Sequence, residues 1–311
     1  MEKFKVYLHY GGGFILNFKQ LDLDDKKIFD RYLRQHKFKT CEYSFTSLYI
    51  WRRAYDIQYT ILKDVLLIKK MDAKGAYHFM QPLGYTKENL KEVVDRLIEY
   101  KKEFNLKYLF KDVEERFIHD LKEIYPDGFC ITEDRDTFDY IYDSSSLIKL
   151  SGRKLRNQKN HYNNFIKNNT YKITNITRDE VLQCIKVSED WYKHKGIEDN
   201  NLNHELRAIE ELLKNRDKLN LKCMAVYVNG KLSAFTIGER LNNEMAIIHI
   251  EKADSKVNGL YNFINKTFVE QYFSDVPFIN REEDLGIEGL RMTKLAYKPI
   301  KLEHKYNITV C

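Results

Sequence analysis

Two strand-like stretches in the C-terminal half end in side chains that can move protons. EMAIIHIEKAD carries His249, Glu251 and Lys252, and FINREED carries Asn280, Arg281, Glu282, Glu283 and Asp284. Side chains alternate faces along a strand. Ile247, His249 and Glu251 are therefore expected on one face, and Ala246, Ile248, Ile250 and Lys252 on the other. The same rule sets Asn280, Glu282 and Asp284 against Arg281 and Glu283. Strands that turn polar at their C-terminal ends are how α/β sheets build a site beyond those ends. The chemistry that suits these groups is acyl transfer to an amine or hydroxyl, which needs a base, an oxyanion stabiliser and an acid. Glu251 and Glu282 are the candidate bases, His249 a relay or orienting group, and Tyr261 a proton donor. Lys252, Asn258, Gly259, Asn280, Arg281, Asp284 and Arg291 are candidate substrate contacts. The competing reading makes the acids and Arg281 an ion-pair cluster, His249 a structural histidine and Tyr261 a packed ring.

These residues need elements to hold them. Asn229-Gly230 between LKCMAVYV and KLSAFTIGERL is a hairpin signal. GLYNFINKTFVEQYF is a helix after the first site strand, and IEGLRMTKLAY a helix after the second, ended by Pro299. KLEHKYNITV reads as one last strand. RDEVLQCIKVSEDWYKHKG reads as a helix closed by Gly196, with Trp191 and Tyr192 as core. The first half repeats the order: strands IQYTILKD, VLLIKKM and HFMQPLGY, helix KENLKEVVDRLIEYKKEFN, strand LKYLFKDV, helix EERFIHDLKEIY, then FCITEDRDTFDYIYD. Each half thus runs strand, strand, strand, helix, strand, helix, strand. The expected fold class is α/β, as two domains each with a mixed, mostly antiparallel sheet flanked by helices. The expected division is 1–143 and 144–311. GGG at Gly11–Gly13 reads as a joint, because no lysine or helix start follows it at phosphate-loop spacing.

Composition excludes several classes. A chain of 311 residues, 43% hydrophobic and 14% aromatic, has enough for two cores. A formal charge of +6 permits an anionic partner without demanding one. Five cysteines without a CxxC pair suggest reduced thiols, and no HExxH or DxDxDG spacing suggests a metal. No run approaches a membrane span, and the N-terminus is too broken by charge for a signal peptide, so a cytoplasmic protein is expected. Charge is uneven, however. Ser144 to Thr177 contains no Asp or Glu, while Lys149, Arg153, Lys154, Arg156, Lys159, Lys167 and Lys172 fall within it and Arg178 at its edge. Cations interleaved with Asn, Tyr162 and Phe165 can follow a phosphate backbone or anionic lipid head groups. Arg153, Lys154, Arg156 and Lys159 are the candidate tRNA or phosphate contacts; the alternative is a solvated connector over 144–178.

The strings LSGRKLRNQKNHYNNF, IHIEKAD…NGLYNFINKTF and INREEDLGIEGLRMTKLAYKP resemble the bacterial family related to the C-terminal domain of phosphatidylglycerol lysyltransferase. The resemblance covers roughly residues 17 to 311 and implies two GNAT-like domains in tandem. In such a sheet the two site strands run parallel and splay apart, and the gap admits an acyl donor. Some relatives transfer an amino acid from aminoacyl-tRNA to a lipid or a peptidoglycan precursor. The resemblance therefore implies an aminoacyl-tRNA donor, no required cofactor, and an anionic lipid or amine acceptor. CoA-dependent relatives carry Q/R-x-x-G-x-G/A after the first site strand; here Lys256, Val257, Asn258, Gly259, Leu260 and Tyr261 occupy that place and only Gly259 fits. An acetyl-CoA-dependent N-acetyltransferase is accordingly the second reading, and a non-catalytic binding protein on the same fold the third. The first half has no glycine-rich loop and reads as a scaffold or acceptor-side domain.

Overall fold

The computed structural model describes residues 16–177, 180–195 and 201–311. The expectations for Gly11–Gly13, Arg178 and Gly196 lie outside these residues. In chain order the strands are β1 Lys19–Gln20, β2 Gln58–Leu62, β3 Val65–Met71, β4 Tyr77–Phe79, β5 Phe110–Val113, β6 Phe129–Glu133, β7 Asp139–Asp143, β8 Tyr171–Thr174, β9 Lys222–Val228, β10 Lys231–Arg240, β11 Met245–Ala253, β12 Phe278–Asn280, β13 Lys301–Glu303 and β14 Tyr306–Val310. The helices are α1 Lys26–Leu33, α2 Phe45–Trp51, α3 Lys87–Glu103, α4 Glu115–Ile124, α5 Ser144–Lys149, α6 Arg156–Asn168, α7 Val181–Lys195, α8 Asn201–Lys214, α9 Arg216–Leu219, α10 Leu260–Tyr272 and α11 Glu288–Ala296.

The strands form two seven-stranded mixed sheets, ordered β1-β2-β3-β4-β5-β14-β6 and β13-β7-β12-β11-β10-β9-β8. This is the α/β architecture expected from the sequence, with two mixed, mostly antiparallel sheets flanked by helices. Each sheet has one parallel pair, β4 with β5 and β11 with β12, amid antiparallel neighbours. The compact units do not divide at residue 143. The first comprises the described residues to Phe38, Glu42–Arg135 and His304–Cys311; the second comprises Lys39–Cys41 and Asp136–Glu303. Two strands account for the difference. β7 pairs with β12 and β13 in the second sheet, although it precedes the 143/144 boundary. KLEHKYNITV is not one strand: β13 stays in the second sheet, and β14 pairs with β5 and β6 in the first. Cys311 then closes a disulfide with Cys130, with Cα atoms 5.5 Å apart. That corrects the expectation of five reduced thiols. The two cysteines lie 181 residues apart and are brought together by the β14–β6 pairing, which the sequence did not reveal. Cys41, Cys184 and Cys223 are buried and outside any disulfide.

Local sequence explains the elements around the site. Asn229 and Gly230 both take positive φ, 51° and 81°, as a tight hairpin between twisted strands requires. Leu260, Phe263, Ile264 and Phe268 recur at helical spacing and bury one face of α10 in the second core, with Ala246, Ile248 and Phe165. Each such side chain contributes about 1.5–3 kcal/mol by leaving water. Helix α6 packs on α10 through Phe165 and Phe263, whose ring centres are 4.5 Å apart. In the first unit α3 buries Leu90, Val93, Val94 and Leu97 against Phe79 and Phe110. No helix among the described residues is long and apolar enough to cross a membrane.

Candidate functional site

The site in the second unit begins where strand regularity ends. β11 pairs in parallel with β12 only at Met245–Ile247, opposite Phe278–Asn280, and then continues alone to Ala253. The expected gap is therefore present. On its other edge β11 carries a bulge: Ile237 of β10 faces Ile250, but Gly238 faces Ile248, so His249 has no partner. Gly238 makes this possible, since a Cβ there would lie 2.5 Å from the Ile247 carbonyl. The bulge reverses the alternation beyond it. His249 and Glu251 were expected on one face. Instead Glu251 joins the face covered by α10, where Asn265 Nδ2 donates to its Oε2 at 2.9 Å. Lys252 joins the face covered by α7 and α8.

On the α10 face Arg281 crosses the gap, and its Nη2 donates to Glu251 Oε1 at 2.9 Å. The guanidinium lies 4.9 Å from the Tyr297 ring centre and 5.5 Å from that of Tyr142. Both members of the pair are only 10% exposed. Burial opposes charge on Arg281, but Glu251 keeps it fully protonated. Its Nη1 is buried and has no hydrogen-bond partner among the described residues, and the same holds for Asn265 Oδ1. Glu251 thus holds a donor and an acceptor with unused capacity.

On the other face His249 is clamped by two carboxylates. Its Nδ1 lies 2.9 Å from Glu282 Oε1 and its Nε2 3.1 Å from Glu239 Oε1. Burial pulls the imidazole pKa down, but Glu239 and Glu282 outweigh it and lift it to about 9. His249 therefore holds its proton at neutral pH between the two carboxylates. Burial pushes the Glu282 carboxyl up, against the opposing charge of His249. Glu282 reaches His249 because its backbone is left-handed, with φ 57°. Lys294 holds that bend: its buried ammonium donates to the carbonyls of Arg281, Glu282 and Glu283. Burial and then Arg281 lower its pKa to about 8.

Lys252 lies 3.9 Å from the Trp191 ring centre and 2.7 Å from Glu205, which also accepts a bond from Tyr192. Burial lowers its pKa, partly offset by Glu205. Trp191 and Tyr192, read as core from the sequence, therefore enclose an ammonium. Tyr261 is raised well above the usual phenol range by burial, and its hydroxyl meets the Ala253 backbone and the Trp191 side chain.

Other predicted contacts are taken up by structure. Asn280 donates to Asp139 and to the Lys39 carbonyl. Asp284 accepts from Tyr140 and from Arg291, which also bonds Asp136. Although burial opposes its charge, these donors hold the Asp284 carboxyl well below its usual range. Asn258 lies 3.1 Å from His161 of α6. Gly259, at φ 79°, is pressed on the same helix, where a Cβ would stand 2.1 Å from the His161 carbonyl. Its freedom serves the approach of α6 to α10. Arg153, Lys154, Arg156 and Lys159 are all exposed around the start of α6. Cys41, Asp139 and Glu283 gather ligand atoms within 4.8 Å, but Asp139 already accepts from the Cys41 and Asn280 N–H groups.

Glu239, Glu205 and Asn265 complete this arrangement and were missed. Glu239 is four residues before the polar Asn243, at the end of a strand, and nothing in its spacing marks it. Gly238 inside a strand was the one readable sign of a bulge.

Comparison with known proteins agrees with this fold. An uncharacterised protein of Mycoplasmoides gallisepticum is 27% identical over 177 residues, 55% of this chain and 56% of its own length. The chain thus matches just over half of that relative. A conserved protein of unknown function from Bacteroides thetaiotaomicron is 34% identical and superimposes with a TM-score of 0.88, covering 96% of this chain and 100% of the other. The L-PGS structure from Bacillus licheniformis, at 14% identity, shares the fold with a TM-score of 0.60 over 91% of each chain. Residues 33–309 match the profile described as phosphatidylglycerol lysyltransferase, C-terminal. The chain belongs to the family of phosphatidylglycerol lysyltransferase C-terminal domains.

Proposed function

We propose that the second unit is an aminoacyl transferase that takes its acyl group from aminoacyl-tRNA and works in the gap between β11 and β12. The observation that carries this reading is the closure of Gly259 on α6. A CoA pyrophosphate would need the turn between β11 and α10 free. Here the His161 carbonyl and Phe165 stand over it, and the start of the same helix presents exposed cations to solvent. The loop is thus ill suited to CoA, and its cover suits a longer polyanion.

The residues divide the work. Attack by an amine or hydroxyl on the aminoacyl ester turns its carbonyl into an oxyanion. Arg281 Nη1 is a buried donor placed for that charge, and low-dielectric surroundings raise its worth. The acceptor's proton goes to Glu282, whose carboxyl is made more basic by burial and held by His249. Tyr261 stays protonated to alkaline pH and gives its proton to the departing ribose oxygen; the phenolate is reprotonated from solvent as Glu282 releases the acceptor's proton there, so the protons balance. The acceptor is a lipid or small molecule bearing an amine or hydroxyl.

Binding of tRNA across a salt series tests the donor. With about four phosphate contacts, log affinity should fall against log salt with a slope near −3. Replacing Arg153, Lys154, Arg156 and Lys159 by Gln should flatten it. A rise in melting temperature with acetyl-CoA beyond that given by AMP alone, or equal binding of any polyanion, would overturn the reading.

A further inference from the structure

Three lysines distant in sequence meet at one hollow of the second unit. Lys186 comes from α7, Lys231 opens β10, and Lys256 sits in the turn after β11. They line a cavity of about 440 Å³, within the range of roughly 300–1,000 Å³ typical of small-molecule sites. Leu182, Val187, Leu232 and the Trp191 indole form its apolar wall, and Ser255 joins the lysines on the polar one. The rim is fixed: the Asp254 amide donates to the Ser233 carbonyl at 2.8 Å, tying the start of β10 to the turn after β11.

This cavity is separate from the strand gap. The gap opens on the β12 edge of β11, whereas the cavity lies at the β10 edge and beneath α7. Its charge is not balanced. Asp190 and Asp254 line it against the three lysines, and Lys186 lies 3.1 Å from Asp190 and 3.9 Å from Glu189. Asp254 has one oxygen occupied by the Lys256 amide. The side chains of Lys231 and Lys256 form no ion pair among the described residues, and with Ser255 they line the cavity beside its apolar wall, where three lysines against two aspartates leave an excess of positive charge. Lysine, a compact point charge, suits a phosphate better than it suits the paired oxygens of a carboxylate. An indole and aliphatic side chains suit a flat organic body.

We propose that this cavity binds a phosphate monoester of nucleotide size, its phosphate between Lys231 and Lys256 and its base on Trp191. The inference does not depend on the transferase reading, because no residue that it invokes for binding takes part in the proton transfers. Its consequence is local: the bound molecule lies against the indole whose ring carries the Lys252 ammonium.

Trp191 also supplies the readout. The chain has 2 tryptophans, so the Trp51→Phe protein reports on Trp191 alone. Titration with AMP should change its fluorescence saturably at millimolar or lower concentration. Adenosine alone and inorganic phosphate alone should each bind at least about tenfold more weakly, since each forfeits one wall. Lys231→Gln with Lys256→Gln should weaken AMP by about tenfold or more. The control pair Lys167→Gln and Lys172→Gln, on exposed positions outside the cavity, should change nothing. All four substitutions are exposed and leave the fold intact, which circular dichroism verifies. No saturable response to AMP, an unchanged constant in the Lys231/Lys256 variant, or equal weakening in the control pair would each overturn the proposal. Loss of tRNA binding with AMP binding intact would overturn only the transferase reading.

Discussion

Raising the pH from 6 to 9 should remove about 3 kcal/mol of stability through His249 alone. Its imidazole is lifted from an ordinary 6.5 to about 9 by Glu239 and Glu282, which outweigh the opposing effect of burial. Between those values the folded chain holds a proton that the unfolded chain has released, so stability falls as pH rises. The contribution is complete below pH 6.5, is about 1 kcal/mol at pH 8, and is nearly gone above pH 9. Lys294 acts in the opposite sense. Lowered to about 8, it favours the folded state progressively as pH rises from 8 toward 10.5. Wild type must therefore be compared with Glu239→Gln, which keeps Lys294 but takes one carboxylate from the clamp. Urea unfolding at pH 6, 7, 8 and 9 gives the two curves. The wild type should lose more stability than the variant over this range, with the difference concentrated between pH 6.5 and 9. Nuclear magnetic resonance of the His249 ring should show no titration below about pH 8 in the wild type and an earlier one in the variant. Parallel curves, or an imidazole titrating near its ordinary value in the wild type, would refute the clamp.

Two further perturbations test the surroundings of the site. Gly259→Ala sets a Cβ 2.1 Å from the His161 carbonyl at φ 79°, and should cost more than about 3 kcal/mol. Gly230→Ala, at φ 81° with open space around it, should cost only about 1–2 kcal/mol in the same urea assay. Asp284 has a depressed carboxyl, so its contribution is present above its unfolded value near 4 and is lost as pH falls. Asp284→Asn should lower stability at pH 7 by about 1–3 kcal/mol and flatten the acid limb of the unfolding curve.

Much of this was legible because patterns with a physical cause repeat. The α10 helix follows from its apolar spacing, and the β9–β10 hairpin from Asn229-Gly230. The opening beside β12 follows from a strand that turns polar as it ends. What escaped the sequence was set by departures from period. Strict alternation put Glu251 beside His249; the bulge moved it to the opposite face. Asn280 and Asp284 have the same composition as site residues, yet Asp139, Tyr140 and Arg291 bind them from other parts of the chain. No local pattern encodes such long-range partners. The division of KLEHKYNITV between two sheets was likewise invisible, because either half alone is good strand.

The two irregularities solve one electrostatic problem. Suppose β11 ran without its bulge. Glu251 would stand on the His249 face, joining Glu239 and Glu282, and three carboxylates would share one imidazolium. Arg281 would be left between Tyr142 and Tyr297 with no counter-charge, at a cost of several kcal/mol for a buried cation. The bulge sends one carboxylate through the sheet to the arginine and leaves two for the histidine. The left-handed turn at Glu282 completes the exchange, returning that carboxylate to His249 while Arg281 faces the other way. Neither distortion is relaxed backbone, and each has its own support: Gly238 makes room for the bulge, and Lys294 binds the carbonyls around the turn. Local rules broken together, with a support for each, mark a place where the fold has been bent to hold charges apart across a narrow gap. On the transferase reading proposed above, that separation lets the group that stabilises an oxyanion remain charged while a carboxylate takes up a proton.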